Sequence, residues 1–435
     1  MRIAVWNNLP SGGGKRALYH HVKGLVERGH HVESWCPPTA DRTYLPLSEL
    51  IEEHVVPYSR TYIDPSFFWN RFLISYQRFR SAYRAMVAHC VTCAGEINNG
   101  GFDLLFSASC LDFAVSPIAR FVTIPSILYL QEPKRALYEA NPMLPWVAPP
   151  EGTYRLSRFK AIARDLDQLV HCRVRAREER NDAAAFDSIL VNSAFSRETI
   201  LRVYGLEGHV CYLGIDTNLF RTTNEPKEPF VIGLGSLQSH KGLDSAIRAV
   251  AAIPRSGRPR LVWVGNSTDA GHLETVARLA EDNGVVLEFR TMVSDSHLVS
   301  LLSRATAMVY TSRLEPFGFA PLEAAACGTA VVAIAEGGVR ETIRHDVNGL
   351  LVDERDPKAI ACALRKLLDN PGYARQLGQN AAEQAREFWT WDAAISRLES
   401  SFVDLLRARD CSLTTGEDPP PDGPGRPGVA IASKQ

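Results

Sequence analysis

Short runs of apolar and β-branched residues alternate along the chain with segments of helical periodicity. In the first half, these runs are RIAVW (2–6), HVESWC (31–36), FDLLFSA (102–108), IPSILYL (124–130) and DSILVNS (187–193). In the second half, they are FVIGLG (230–235), RLVWVG (260–265), VVLEF (285–289), AMVYTS (307–312) and TAVVAI (329–334). Nearly continuous apolar strands separated by helices are typical of parallel sheets that helices cover on both faces. Because the pattern occurs twice, it predicts an α/β chain with two doubly wound, Rossmann-like parallel-sheet domains.

Two changes in composition divide the chain further. The polar segment RTTNEPKEP (221–229) separates the halves and predicts a linker. Near the C-terminus, WDAAISRLESSFVDLLRAR (391–409) has the period of an amphipathic helix, whereas TTGEDPPPDGPGRPG (414–428) cannot build a core. We therefore expect an N-terminal domain, a C-terminal domain, a last helix and a disordered tail. Their expected ranges are 1–220, 228–388, 389–409 and 410–435.

Composition excludes several classes of protein. The 435 residues carry 48 Lys and Arg against 49 Asp and Glu, a formal net charge of -1, which argues against a bulk nucleic-acid binder. The N-terminal sequence MRIAVWNNLP lacks the features of a signal peptide, and no apolar run approaches the ~18 residues of a membrane span. Nine scattered cysteines suit free thiols. We therefore expect a cytoplasmic protein, with Cys90 and Cys93 as a plain helical pair rather than a metal or redox site.

The stretch EPFGFAPLE (315–323) places two carboxylates around apolar residues at the end of a predicted strand. Pro316 and Gly318 prevent a continuous helix, so Glu315 is expected in a loop at the carboxyl edge of the sheet. Glu323 is expected in the first turn of the next helix, beginning at Pro321. Glu323 alone could simply complement its helix dipole. Together, the two carboxylates could instead accept hydrogen bonds from the vicinal hydroxyls of a sugar or ribose.

Two further stretches are expected at the same edge of the same domain. GSLQSHKGLD (235–244) leaves one strand and enters a helix, with Lys241 near its start. EGGVRE (336–341) follows another strand, where Gly337 and Gly338 would let backbone come close to a ligand. A lysine is a compact charge that suits a phosphate, and helix N-termini bind phosphate as well. These stretches together predict a site for a sugar nucleotide.

A glycine-rich segment, NNLPSGGGKRALYHHV, follows the first strand. Gly12, Gly14 and Ala17 fit the dinucleotide pattern G-x-G-x-x-A, but the segment begins too far from the end of the strand for that fingerprint. It is not a phosphate-binding P-loop either, because Arg16 replaces the required Ser or Thr. A flexible glycine loop that faces the ligand is the better interpretation.

In these motifs the chain resembles glycosyltransferase family 4, whose members are retaining enzymes of the GT-B fold. EPFGFAPLE matches the E-x7-E motif of that family, and HKGLD, EGGVRETIRHDVNGLLV, NSAFSRETI and CYLGIDTNLF resemble its other recurring stretches. The resemblance covers nearly the whole chain except the tail. It implies two domains that face a cleft: an N-terminal domain that binds the acceptor and a C-terminal domain that binds a nucleoside diphosphate (NDP) sugar as donor. It also implies that the last helix returns to the N-terminal domain, and that the acceptor is a lipid-linked or oligosaccharide hydroxyl.

The resemblance also implies roles for individual residues. Glu315 would contact the transferred sugar, Lys241 would stabilise the diphosphate and Glu323 would hold the ribose. Together with the residue patterns above, it leads us to expect these other donor-binding residues: Gly12, Gly13, Gly14, Gln131, Ser236, Phe317, Gly318, Phe319 and Gly338. No metal site and no cofactor are expected.

Two positions depart from the family pattern. Ser236 stands where the family usually has an arginine, which leaves a thinner phosphate clamp. Gln131 replaces a histidine in YLQEPKR (129–135), a stretch that otherwise resembles mannosyltransferase-like members and favours GDP-mannose as the donor.

Two helical segments allow alternative interpretations. In the segment 67–89, aromatic residues recur on one face beside Arg71, Arg78, Arg80 and Arg84. A helix packed on the sheet with a solvated basic side is favoured, and an interfacial helix resting on anionic lipid is the alternative. DLD (165–167) resembles a metal-binding D-x-D, but its place in a charged helical run predicts a surface helix.

The sequence therefore predicts a retaining, metal-independent hexosyltransferase that acts in the synthesis of a cell-surface glycan or glycolipid. Two alternatives stay open. A regulatory protein with a decayed transferase site would account for Ser236 and Gln131 together. A nucleotide-sugar epimerase of the same fold would need its own acid and base residues and no acceptor.

Overall fold

The computed structural model describes residues 1–59, 74–135, 155–223, 225–265, 270–353 and 356–415. Within these ranges, the side chains of 155–161, 239, 270, 272 and 410–415 lie outside the description. The chain divides into two compact units. Unit 1 comprises Met1–Asn192, Ser196–Cys211 and the chain from Ile395 onward, and unit 2 comprises Ser193–Phe195 and Tyr212–Ala394.

A parallel sheet with helices forms unit 1. Its strands are β1 (Arg2–Asn8), β2 (His31–Cys36), β3 (Glu52–Val55), β4 (Leu104–Cys110), β5 (Ser126–Tyr129), β6 (Ser188–Val191) and β7 (His209–Val210). The helices are α1 (Gly13–Glu27), α2 (Ile74–Asn99), α3 (Arg155–Ala183) and α4 (Ala194–Tyr204), the last of which begins in unit 2. The strand order is β3-β2-β1-β4-β5-β6-β7, and every pair is parallel. The order reverses between β1 and β4, as in a doubly wound sheet.

Unit 2 repeats this plan. Its strands are β8 (Glu228–Leu234), β9 (Arg260–Val264), β10 (Leu287–Arg290), β11 (Ala305–Tyr310), β12 (Val331–Ile334) and β13 (Gly349–Val352). Its helices are α5 (Leu243–Ala251), α6 (Ala270–Asp282), α7 (Asp295–Arg304), α8 (Phe319–Ala326), α9 (Val339–Thr342), α10 (Pro357–Leu368) and α11 (Pro371–Phe388). The last helix, α12 (Trp391–Thr415), begins in unit 2 and continues into unit 1. The sheet is parallel with the order β10-β9-β8-β11-β12-β13, so it reverses between β8 and β11.

The predicted fold class is confirmed: each unit is a Rossmann-like parallel sheet, and each of the ten apolar runs overlaps an observed strand. Three strands escaped the sequence pattern. β3 has the sequence EEHV, a polar edge strand whose residues are mostly exposed or half-buried. β7 has only two residues, and β13 is the four-residue GLLV at the other sheet's edge. Short or polar edge strands carry too little apolar signal to be recognised.

The continuous part of unit 2 begins at Tyr212, earlier than the linker in the sequence indicates. The reason is packing against a segment of the same unit that is distant in the sequence. Ile215 N–H donates to the Trp389 carbonyl at 2.8 Å, and a Cβ on Gly214 would lie 2.4 Å from the backbone of Thr390. The segment after β7 is therefore bound to the end of α11.

The last helix has apolar side chains buried in unit 1. Ile395, Leu398 and Phe402 are all nearly inaccessible to solvent. The Phe402 ring lies 5.4 Å from that of Phe106 on β4, and Glu399 bonds His30 at 2.7 Å. The helix runs to Thr415, so it includes the first residues of the expected tail. The rest of that tail lies outside the described residues.

The described part of α2 packs as a core helix. Phe79 and Met86 are buried, and the Tyr83 hydroxyl donates to both carboxylate oxygens of Asp182 at 2.9 Å. Arg78, Arg80 and Arg84 are exposed. Phe68, Arg71 and Phe72 of the predicted aromatic and basic faces lie outside the described residues. No helix in the described part of the chain is both long and apolar enough to cross a membrane.

The C-x-x-C pair and the DLD segment, which were not predicted to bind metal, include residues that are buried in the fold. Cys90 and Cys93 are fully buried in α2, and burial raises the pKa of both thiols. Asp167 lies in α3 as predicted, but it is buried rather than on a surface. Its carboxylate accepts hydrogen bonds from the N–H groups of Ser75 and Tyr76, at 3.0 and 3.3 Å. It therefore stabilises the start of α2.

Candidate functional site

The predicted site residues of unit 2 lie where the strand order of its sheet reverses. The loop with Ser236 and Lys241 follows β8, and the loop with Glu315 follows β11; these two strands are neighbours in the sheet. Open α/β sheets bind ligands at such a reversal, beyond the carboxyl ends of the strands. The fold thus brings together residues that are far apart in the sequence.

The turn that carries Lys241 is hydrogen-bonded to the segment that follows β11. The Thr311 hydroxyl donates to the Gly242 carbonyl at 2.8 Å, and Arg313 N–H donates to the His240 carbonyl at 2.7 Å. Gly242 has a φ of 76°, and a Cβ there would lie 2.4 Å from the Thr311 carbonyl oxygen. Only glycine combines this backbone conformation with so close an approach. The Lys241 backbone therefore has a fixed place beside the loop of Glu315.

An ion pair joins the two residues predicted to be catalytic. Lys241 Nζ lies 2.7 Å from Glu315 Oε2, and the Ser312 hydroxyl donates to the same oxygen at 2.8 Å. The Lys241 and Glu315 side chains are 23% and 20% exposed, so solvent reaches both. Ser312, two residues beyond the end of β11, is buried. A charge pair with this accessibility can exchange partners with a ligand.

Two glycines hold the Glu315 loop from the other side. Gly338 N–H donates to the Glu315 carbonyl at 2.9 Å. A Cβ on Gly337 would lie 2.3 Å from that carbonyl oxygen, and one on Gly338 would lie 2.1 Å from the Pro316 carbonyl oxygen. The Ser193 hydroxyl also donates to the Pro316 carbonyl, at 2.5 Å. The close approach that these glycines permit is thus to the protein's own loop, and the contact of Gly338 with a donor stays a prediction.

The apolar residues of EPFGFAPLE pack into an aromatic cluster. Phe317 is buried, with its ring 5.7 Å from that of Trp389 and 5.3 Å from that of Phe319. The Phe319 ring lies 6.2 Å from that of Trp391. These contacts anchor the side chains, so this segment would offer a ligand its backbone.

Helix α8 begins at Phe319, two residues before the predicted start at Pro321, because Gly318 is the N-cap residue and adopts a left-handed φ of 90°. Glu323 is consequently the fifth residue of α8 and lies beyond its first turn. It is 4% exposed. The pKa of the Cys327 thiol is raised to about 12, chiefly by burial of the thiol and secondly by the negative charge of Glu323. The ribose contact of Glu323 stays a prediction.

In unit 1, two of the predicted groups are neighbours. Gln131 Nε2 donates to the Gly14 carbonyl at 3.4 Å, and a Cβ on Gly14 would lie 3.1 Å from Gln131 Oε1. Gly12 has a φ of 136°, with no neighbouring atom within 4 Å of its Cβ position. Gly13 and Gly14 are the first residues of α1, so the prediction of a flexible glycine loop is wrong for them. Gly14 and Gln131 lie together at the carboxyl edge of this sheet.

A cluster of potential metal ligands lies away from Lys241 and Glu315. In the described residues, the group of three with closely spaced ligand atoms is Glu33, Glu52 and His54, at β2 and β3 of unit 1. His54 Nε2 and Glu33 Oε2 are 2.9 Å apart. The group does not include Glu315 or Glu323.

Ser312 and Ser193 were not identified as site residues from the sequence. Ser312 appears there only as the end of a predicted strand, and Ser193 only within the stretch NSAFSRETI. A serine carries no distinctive sequence signal, so its hydrogen bond becomes visible only in the fold.

Comparison with known proteins finds similarity to glycosyltransferases, and the family model matches within unit 2. Residues 215–384 match the family model for glycosyl transferases group 1. The D-inositol 3-phosphate glycosyltransferase 1 of Catenulispora acidiphila is 32% identical over 245 residues, which are 51% of this chain and 58% of that protein. The D-inositol 3-phosphate glycosyltransferase of Acidothermus cellulolyticus is 32% identical over 259 residues, 54% and 57% of the two chains. The match thus spans less than two thirds of either relative.

Solved structures resemble the chain over nearly its whole length. Sucrose-phosphate synthase of Thermosynechococcus elongatus superposes with a TM-score of 0.67 and 20% identity, covering 94% of this chain and 99% of that one. HepE of Anabaena, solved in complex with UDP-glucose, has a TM-score of 0.64 and 19% identity, covering 95% and 100%. At these identities the likeness concerns the fold. The family match places the Lys241 and Glu315 pair inside a segment similar to glycosyl transferases group 1.

Proposed function

We propose that this chain is a retaining glycosyltransferase that moves a sugar from an NDP-sugar to a hydroxyl acceptor. The observation that carries the proposal is the pairing of Lys241 with Glu315 at 2.7 Å, at the strand-order reversal inside residues 215–384. A cation and a carboxylate at this edge match the two charges that a sugar transfer develops.

The barrier to the reaction comes from separating charge. As the bond from the anomeric carbon to the diphosphate oxygen breaks, the sugar becomes oxocarbenium-like and the diphosphate gains negative charge. Lys241 would stabilise the leaving diphosphate, together with the N–H groups at the start of α8. Glu315 would place its negative charge beside the oxocarbenium-like sugar. Preorganised charges of this kind usually lower an enzyme's barrier more than any other single effect.

Retention of configuration follows here from a same-face displacement. The acceptor oxygen would bond to the anomeric carbon on the face that the diphosphate leaves, and the departing phosphate would take the acceptor's proton. No covalent enzyme intermediate is required, so Glu315 acts through its charge and hydrogen bonds.

The donor is proposed as a class, the NDP-sugars. The stretch YLQEPKR favours GDP-mannose, whereas the HepE structure contains UDP-glucose. The acceptor is proposed to be a hydroxyl of a lipid-linked glycan or an oligosaccharide. The names of the relatives add a phosphate-bearing cyclitol to the acceptors that need testing.

A panel of NDP-sugars, incubated with and without acceptor extract, tests the proposal. Donor turnover that requires the extract supports the transferase. Isomerisation of the donor without extract would identify an epimerase, and binding without turnover would identify a regulatory protein. Turnover by Glu315→Gln is compared with turnover by the unaltered protein, since this variant keeps the size of the side chain and removes its charge.

Contact with a membrane through the segment 67–89 is a second proposal, which the exposed Arg78, Arg80 and Arg84 support. Each basic residue near an anionic surface contributes about 1 kcal/mol to binding. Co-flotation with phosphatidylserine vesicles at low salt, lost when the three arginines become glutamates, would support it. Protein that stays unbound under those conditions would leave α2 as a core helix alone.

A further inference from the structure

We infer that Lys241 exchanges Glu315 for the diphosphate of the donor, and that Ser312 is the positioning residue that keeps the Glu315 carboxylate in place during this exchange. The inference rests on the proposed function, since it concerns the same pair of charges. Ser312 thereby gains a role, and Glu315 competes with the nucleotide's diphosphate for Lys241.

The exchange follows from the charges. Lys241 Nζ lies 2.7 Å from Glu315 Oε2. A diphosphate carries more negative charge than a carboxylate, so it attracts the ammonium more strongly. Its own charge also repels Glu315, which disfavours an arrangement in which Lys241 stays tightly paired with both. Because both side chains are only about four-fifths buried, neither has to leave a sealed interior.

Ser312 differs from Lys241 in two ways that suit it to hold the carboxylate. It is neutral, so the diphosphate does not compete strongly for it, and it is buried in the loop two residues beyond β11. Its hydroxyl donates to Glu315 Oε2 at 2.8 Å, the oxygen that Lys241 also contacts. Ser312 can therefore keep this oxygen in the same position once Lys241 has moved to the diphosphate.

The neighbouring backbone limits how far either group can move. Thr311 bonds the turn of Lys241 at Gly242, and Gly338 bonds the Glu315 carbonyl. The exchange thus requires rotation of the Lys241 side chain, while the two loops stay in place.

Titration with free UDP and free GDP by calorimetry tests the exchange without any transfer reaction. Glu315→Gln should bind the preferred nucleotide about two- to fivefold more tightly than the unaltered protein, because a partly exposed ion pair, worth little in solvent, no longer competes. Ser312→Ala should bind it with unchanged affinity. Ser300→Ala is the matched control, since the Ser300 hydroxyl donates to Glu225 at 2.7 Å elsewhere in unit 2.

Steady-state kinetics test the positioning role. Ser312→Ala should lower kcat by roughly tenfold to a hundredfold, the effect of losing a hydrogen bond to a charged group, with donor KM changed less than about twofold. Ser312→Thr keeps the hydroxyl and should recover most of kcat. Ser300→Ala should match the unaltered protein. Melting temperatures within about two degrees of the unaltered protein would show that the Ser312 variants are folded.

The results separate the two proposals. Unaltered protein that neither binds a nucleotide nor turns over any donor overturns the proposed function. If the unaltered protein does bind, equal or weaker binding by Glu315→Gln overturns the exchange. If it also turns over donor, a Ser312→Ala variant with normal kcat, or a loss that Ser312→Thr does not recover in folded protein, overturns the positioning role.

Discussion

Lys241 and Glu315 are separated by 74 positions in the sequence and meet through one hydrogen bond in the fold. Their placement at one sheet edge follows from the sequence, because both come after predicted strands of one parallel sheet. Their mutual pairing does not follow from it. Side-chain distances depend on the backbone of two turns, which the glycine at 242 and the hydroxyl of Thr311 determine.

At the residue scale, the first prediction concerns Glu323. Glu323→Ala should weaken binding of donor and of free nucleotide alike, by about 1.5–3 kcal/mol for a hydrogen bond to a charged group. Calorimetric titration with the nucleotide measures this directly. Because Glu323 is buried, the alanine leaves a cavity, and Glu323→Gln, of similar volume, separates this effect from loss of the charge. Glu281→Ala, at an exposed position of α6, controls for loss of a negative charge. Unchanged affinity in folded Glu323→Ala would make this carboxylate structural.

At the element scale, the sheets and most helices were predictable, and the packing of their ends was not. The apolar runs identify strands because buried parallel strands need apolar residues on both faces. β3, with its sequence EEHV, has no such need at a sheet edge. The start of α8 was placed two residues late because proline favours a first helical position, whereas the left-handed conformation of Gly318 determines where the helix begins. The sequence indicates neither the φ of Gly318 nor what faces Gly338.

The second prediction tests this packing at Gly338. Gly338→Ala should destabilise unit 2 by about 1–3 kcal/mol and displace the Glu315 loop, because its Cβ would lie 2.1 Å from the Pro316 carbonyl oxygen. Its φ of -71° suits alanine, so the clash alone causes the effect. Thermal unfolding and kcat measure the two consequences. Gly372→Ala, at the second residue of α11, is the matched control: its Cβ meets Asn370 at an ordinary 3.5 Å, and it should stabilise by about 0.4–1 kcal/mol because alanine restricts the unfolded chain. A Gly338→Ala variant as stable and active as the unaltered protein would contradict the packing shown here.

At the scale of the whole molecule, the repeat of one pattern was enough to predict two Rossmann-like units. The limits of the units were harder to predict, because the Tyr212 ring contacts the rings of Phe388 and Trp389 at the distant end of α11, and no local signal marks the boundary. Long-range contacts of this kind leave no mark on local composition.

The third prediction is that transfer does not require a divalent metal. Activity should survive excess EDTA, because Lys241 and the start of α8 are proposed to neutralise the diphosphate. The assay compares turnover before chelation, after chelation and after magnesium or manganese is added back. Loss of turnover that either metal restores would show that the diphosphate is neutralised differently.

The last prediction concerns the contribution of α12 to unit 1. Ending the chain after Ala394 removes Ile395, Leu398 and Phe402, which are at most 2% exposed. Each such side chain contributes about 1.5–3 kcal/mol when fully buried, so the loss of about 5–9 kcal/mol is comparable to the whole stability of a domain. Amide hydrogen exchange should therefore lose its protection in α1 and β4, whose Gly24 and Phe106 contact Ile395 and Phe402.

Two controls complete this test. A chain that ends after Thr415 keeps α12 and should match the full chain in melting temperature, since the composition beyond it cannot build a core. Phe402→Ala in the full chain should lower the stability of unit 1 by about 3–5 kcal/mol while exchange in β11 and α8 of unit 2 stays unchanged. If α1 and β4 keep full protection without α12, the helix contributes nothing to unit 1, and the apolar face recognised in residues 391–409 must serve another purpose.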